Sequence, residues 1–180
     1  KFLEGTGSLI LDREQQIAYA SYSDRTEQEV IRAFEDLTAY TVIGFKAYQN
    51  VDGQRLPIYH TNVMMSIGDH FALICAEAID DVMEREQVLE TLRKQSKEII
   101  LISEYQLNNY AGNILQVKNK NNVCFIVMST NAFRSLNPHQ KQQLEKHGTL
   151  LHSNLTTIEM LGGGSARCMM AEIFLPTKES

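Results

Sequence analysis

Three things are scarce in this chain of 180 residues, and each scarcity excludes a class of protein. No apolar run approaches the roughly 18 residues that span a bilayer, so no membrane helix is expected. No Lys/Arg cluster with interleaved aromatics is present, and the formal charge of −5 would repel a phosphate backbone. Nucleic acid is therefore not expected as a partner. Cysteine occurs three times, at positions 75, 124 and 168, never in CxxC spacing. That usage suits reduced thiols in a cytoplasmic setting, not a disulfide frame or a zinc site. The first residue is Lys1 and not Met, so a preceding segment is expected to be missing.

What remains is ordinary globular composition, 43% hydrophobic and 22% charged, in a chain long enough to bury roughly 70% of its unfolded surface. Cys75 and Cys124 lie in apolar strand-like runs, whereas Cys168 follows Gly162-Gly163-Gly164-Ser165 and precedes the apolar segment Ala171 to Pro176. Glycines permit close approach of a ligand, and the run behind Cys168 would seat it at the lip of a strand. Cys168 is read as a nucleophile on these grounds, although free cysteines are more often buried and inert.

Along the chain one pattern recurs at a period of about 50 residues. Two strands, at 7–12 and 16–22, precede a helix carrying Val30, Ile31, Phe34 and Leu37 at helical spacing, capped by Asp24 or Thr26, and then a strand over 41–48. After a loop over 50–53, strands at 63–66 and 71–76, a helix over 85–95 and a strand over 98–102 repeat the order. Strands at 114–117 and 123–128, a short helix around Ala132, a helix over 138–146 and a strand over 149–152 repeat it again. The fold class is α/β, built of ββαβ units over about 4–58, 59–110 and 111–166, with a closing strand over 167–176. Aligned by first strands, the units bring Glu4, the pair His60 and Asn62, Asn113 and Cys168 to the same position, the entrance of each unit. Arranged about an axis, these residues would converge.

Glu4-Gly5, Asp24-Arg25-Thr26, His60-Thr61-Asn62 and Gly162-Gly163-Gly164 with Arg167-Cys168-Met169 resemble the guanidine-modifying enzymes of the pentein α/β-propeller superfamily. Arginine deiminases, dimethylarginine dimethylaminohydrolases and amidinotransferases belong there. The resemblance implies a ring of five ββαβ modules, of which this chain would supply the last three and the closing strand, the N-terminal modules being absent. It implies that Cys168 is the nucleophile, His60 the general acid/base and Glu4 the holder of the guanidinium, with Arg25 binding a substrate carboxylate. Asn62 and Asn113 are expected at the substrate. Two departures stand out: Thr6 and Gly7 replace a Gly and an Asp, and Asn62 replaces the Asp two residues after the histidine. A further carboxylate of the family would lie in the N-terminal modules.

The chemistry gives these residue types their reason. A guanidinium carbon is a poor electrophile, and a carboxylate that fixes its plane by charge-assisted hydrogen bonds presents one face to the sulfur. The attacking form is the thiolate, and a histidine near neutrality can protonate the departing amine and then activate water. The expected activity is hydrolysis of a C–N bond in a small guanidine or ureido substrate through a thiouronium adduct, with no cofactor and no metal. Transfer of the amidino group to an amine uses the same residues and is the alternative. A non-catalytic binding module of the same superfamily is the other, and a homo-oligomer is compatible with either.

The plain structural readings are kept beside these. Arg25 could pair with Asp24 at a helix start, Asn113 could serve a turn, and Glu159 reads as a solvated helix position. His70, His139, His147 and His152 read as surface groups, and the pairs Met64-Met65 and Met169-Met170 as core filling.

Overall fold

The computed structural model describes residues 1–172. A four-residue helix, α1 (Gly5–Ser8), leads into β1 (Leu9–Asp12), which runs antiparallel to β2 (Ile17–Ser21). Helix α2 (Gln28–Leu37) then returns the chain to β3 (Thr41–Phe45), parallel to β2. A hairpin of β4 (Tyr48–Val51) and β5 (Gln54–Pro57) connects to the second unit. There a 3-10 turn at Thr61–Val63 precedes β6 (Met65–Ile67), β7 (Phe71–Ile74), α3 (Val82–Lys94) and β8 (Glu98–Leu101). Helix α4 (Glu104–Asn108) leads to the third unit, β9 (Leu115–Lys118), β10 (Cys124–Ser129), α5 (Thr130–Ser135), α6 (Pro138–Glu145) and β11 (Thr149–Ser153). Helix α7 (Thr156–Gly162) and a 3-10 turn at Arg167–Met169 follow.

Three three-stranded sheets therefore share one topology: the first strand is antiparallel to the second, which is parallel to the third across a helical crossover. A parallel pair cannot be joined by a tight turn, and a helix is the usual solution. The first strands face one another, β1 against β6 and β6 against β9, and the sheets do not close into a ring among the described residues. One apolar cluster runs through all three units, from Tyr19 and Phe45 through Met64, Met65, Phe71, Leu73 and Leu92 to Ile126, Met128 and Leu144. β7 is buried at every position, as expected of a strand covered on both faces. Between the first strands, Lys97 Nζ donates to the carbonyls of Gly68 and Asp69 at 3.2 and 2.9 Å and lies 2.9 Å from Asp12 Oδ2. This ion pair is almost wholly buried.

Several local expectations are corrected. Neither Asp24 nor Thr26 caps α2: Glu27 stands at the cap without a side-chain bond, and Thr26 is held by backbone pairing with Ser23. Leu37 is 85% exposed, because six positions beyond the buried Ile31 it has turned away from the core at about 100° per residue. The strand expected over 41–48 stops at Phe45, where the Lys46 N–H leaves the ladder for Glu84 Oε2 at 2.7 Å. The expected loop at 50–53 is the end of a hairpin, turning at Asp52 and Gly53 with φ of 49° and 78°. Asp-Gly is a common sequence for that geometry. Met64 and Met65 fill the core, whereas Met169 is half exposed.

Candidate active site

The functional side chains enter from four separated stretches of chain. Glu4 immediately precedes α1, where Gly5 takes φ of 49°. His60 caps and Asn62 lies within the turn before β6, Asn113 lies just ahead of β9, and Cys168 sits in the 3-10 turn after α7. The closing strand expected behind Cys168 is not seen at 167–172, where the chain makes that turn and then runs without strand pairing, and residues 173–176 lie outside the described residues.

The structure brings these entrances together. Glu4 Oε2 is 2.7 Å from His60 Nε2 and 3.7 Å from Arg25 Nη1. Asn62 Nδ2 lies 3.5 Å and Asn113 Nδ2 3.2 Å from Cys168 Sγ. Asn62 and Asn113 are joined directly, Asn113 Nδ2 donating to the Asn62 carbonyl at 2.9 Å. Cys168 is exposed, Cys124 partly buried and Cys75 buried. Burial, with Glu77 nearby, pushes the Cys75 thiol up to about 12, which removes it as a nucleophile near neutrality. Arg25 makes no bond to Asp24; its guanidinium lies 5.2 Å from the ring centre of Tyr59 and beside Glu4.

The histidine is anchored on both sides. Ser23 Oγ donates to the Tyr59 carbonyl at 2.8 Å, and Thr61 Oγ1 accepts from the Ser21 N–H at 2.8 Å. Its ring rests on Gly7, where a Cβ would come within 2.9 Å of imidazole Cε1 and Nδ1. The Asp expected from the resemblance could not occupy position 7 with His60 where it is.

Two contributors, Tyr59 and Ser165, were given no role in the sequence reading, and a third, Glu159, was placed in solvent. Tyr59 donates its hydroxyl to the Gly163 carbonyl at 2.7 Å. Burial first, then the nearby Cys168 and Tyr110, raise that phenol above its ordinary value, so it remains a donor. Ser165 is fully buried, and its hydroxyl donates to Glu159 Oε1 at 2.7 Å. Glu159, expected in solvent, is 3% exposed; its other oxygen accepts from Asn131 Nδ2 at 2.6 Å, and its carbonyl accepts from the Tyr110 hydroxyl at 2.9 Å. Helical spacing alone gave no sign of this, since the partners come from α5 and from the loop itself. His147 is also not a free surface group, since its Nε2 meets Glu98 Oε2 at 3.0 Å. Among the described residues no group of three or more His, Cys, Asp or Glu side chains could hold a metal ion. None of the described helices is long and apolar enough to cross a membrane.

A sequence model of eukaryotic N,N dimethylarginine dimethylhydrolase matches residues 1–175. No curated protein matches the chain. Among solved structures, ArgZ, an arginine dihydrolase from the ornithine-ammonia cycle in cyanobacteria, is 20% identical with a TM-score of 0.70, over 97% of this chain and 26% of its own. The N-terminal domain of ArgZ covalently bound to a reaction intermediate is 20% identical with a TM-score of 0.68, over 92% of this chain and 54% of its own. A mutant of AgrE in binary complex with L-arginine is 22% identical with a TM-score of 0.68, over 92% of this chain and 22% of its own. The likeness is one of fold, and this chain spans between about a fifth and about a half of the length of these chains.

Proposed function

The chain belongs to the eukaryotic N,N dimethylarginine dimethylhydrolase family, and from that premise we propose that it forms the nucleophile-bearing part of a hydrolase acting on an arginine-type guanidine. The observation that carries the proposal is that Glu4 meets His60 while, two positions further on, Asn62 meets Cys168 beside Asn113, so that four separated stretches of chain are linked by side-chain contacts. The ring-shaped arrangement of modules and the supply of a further carboxylate by a segment outside this chain are parts of the same proposal.

In this reading the Cys168 sulfur attacks the central guanidine carbon, forming a C–S bond while one C–N bond breaks. His60, held by Glu4 through Nε2, gives its proton to the departing amine, leaving an S-linked thiouronium. Water then adds to that carbon as His60 takes its proton, and the C–S bond breaks to release the ureido product and the thiolate. Arg25, 3.7 Å from Glu4, would bind a substrate carboxylate in this reading. An N-methylated arginine is the first substrate to try. A dialkylated nitrogen has no N–H to donate, and the neutral Asn62 and Gly7 stand where the wider resemblance has carboxylates.

The test is intact mass spectrometry of the full-length protein, wild type and Cys168→Ala, incubated with dimethylarginine, arginine and a panel of other guanidines and quenched in acid. An adduct on the wild type alone, with amine and ureido product in solution, is the expected result. Unchanged turnover in Cys168→Ala, or no adduct and no product with any guanidine, would overturn the proposal.

A further inference from the structure

Asn113 is 2% exposed, and both ends of its carboxamide are engaged by the two segments that meet at the sulfur. Its Oδ1 accepts from the backbone N–H groups of Arg167 at 3.0 Å and Cys168 at 3.4 Å. Its Nδ2 donates to the Asn62 carbonyl at 2.9 Å and faces Cys168 Sγ at 3.2 Å. A carboxamide offers two N–H groups and two lone pairs, so all four are committed without a substrate. A group in this position does not read the ligand.

We propose that Asn113 is a positioning residue for Cys168: one end fixes the backbone of the 3-10 turn and the other fixes the direction of the sulfur. Two contacts on the same residue, one to the main-chain nitrogen and one to Sγ, restrict rotation about the Cα–Cβ bond. They hold the sulfur in the direction from which it attacks. The N–H contact at 3.2 Å also gives the sulfur a fixed polar neighbour. Asn62 also meets the sulfur, at the longer distance of 3.5 Å against 3.2 Å. This inference rests on the reading of Cys168 as the nucleophile.

Two variants of the full-length protein separate this role from a merely structural one. Asn113→Asp keeps an acceptor for the two backbone N–H groups but turns a negative charge toward the sulfur, whereas Asn113→Ala removes both ends. The readout is the rate of Cys168 alkylation by iodoacetamide, resolved by peptide mass spectrometry with Cys124 as internal standard, together with Tm and with kcat and KM. Asn113→Asp is expected to slow Cys168 alkylation roughly ten- to a hundredfold, the scale of a hydrogen bond to a charged group. Cys124 alkylation and Tm should be little changed, and kcat should fall at constant KM. Wild-type alkylation in Asn113→Asp, a rise in KM at constant kcat, or collapse of Tm in both variants would overturn the proposal. Because alkylation needs no substrate, it decides this point even if every guanidine fails to turn over.

Discussion

Glu4 Oε2 and His60 Nε2 meet at 2.7 Å across 56 positions of sequence, joining the entrance of the first unit to that of the second. The carboxylate holds the imidazole against rotation. If His60 is the proton carrier, His60→Gln should lower turnover by about 10²–10⁴-fold, and Glu4→Gln should lower it comparably. Pre-steady-state mass analysis should show adduct formation and adduct hydrolysis both slowed. Normal rates in His60→Gln would leave that histidine a structural role only.

Gly7 provides the floor under the same ring. A Cβ at this position would lie 2.9 Å from two ring atoms, so Gly7→Ala should displace the imidazole by a fraction of an ångström or more. Position 7 lacks the positive φ seen at Gly5, so the backbone accepts alanine and the change falls on the ring. A displacement approaching 1 Å costs up to ~10²-fold in rate. Steady-state kinetics should show reduced kcat with Tm nearly unchanged.

Glu159 ties the glycine-rich loop to the third unit through Ser165 and Asn131. Removing its carboxylate strands two polar partners, one of them fully buried, so Glu159→Ala should cost about 1–3 kcal/mol. Urea unfolding would read the stability, and hydrogen exchange over 162–168 should rise more than exchange in the sheets. Equal protection of the loop in wild type and variant would remove the tether from the account.

Glu98 opens β8 and reaches across to the third unit, accepting from Lys146 Nζ at 3.0 Å and Gln143 Nε2 at 3.1 Å and pairing with His147. The Lys146 bond first, then those of Gln143 and His147, lower this carboxyl from 4.5 to about 2. Its folded value lies below its unfolded one, so its contribution is present above about 4.5 and lost as pH falls toward about 2. The side chain is 30% exposed, and screening holds the contribution to about 1 kcal/mol. Glu98→Gln should lower Tm by a few degrees at neutral pH and flatten the acid limb of a Tm-against-pH curve. Parallel curves for the two proteins would sink this assignment.

The succession of strands and helices was legible wherever local pattern decided it. The β-rich runs at β1 and β2, the apolar Phe71–Ile74 and the Pro138 start of α6 carry their structure in adjacent residues. What was not legible depends on partners far away. Lys46 leaves the β3 ladder for a glutamate on α3, and Glu159 is drawn inward by Asn131 and Ser165. The site was legible to the extent that its members share one place in a repeating unit, which is why Glu4, His60, Asn62, Asn113 and Cys168 could be listed together. Tyr59 escaped because its partner is a carbonyl, and any residue of the glycine run offers one.

Contacts at the site close very long stretches of chain: Asn62 and Cys168 are 106 positions apart, Tyr59 and Gly163 are 104 apart. The sheets close far shorter ones. Loop closure grows costlier with the length enclosed, and the site's closures rest on few bonds. Folding should therefore assemble the three sheets first and the site last, and heating should take them apart in the reverse order. A warmed sample should lose its ability to turn over substrate while its far-ultraviolet circular dichroism is still that of the native protein.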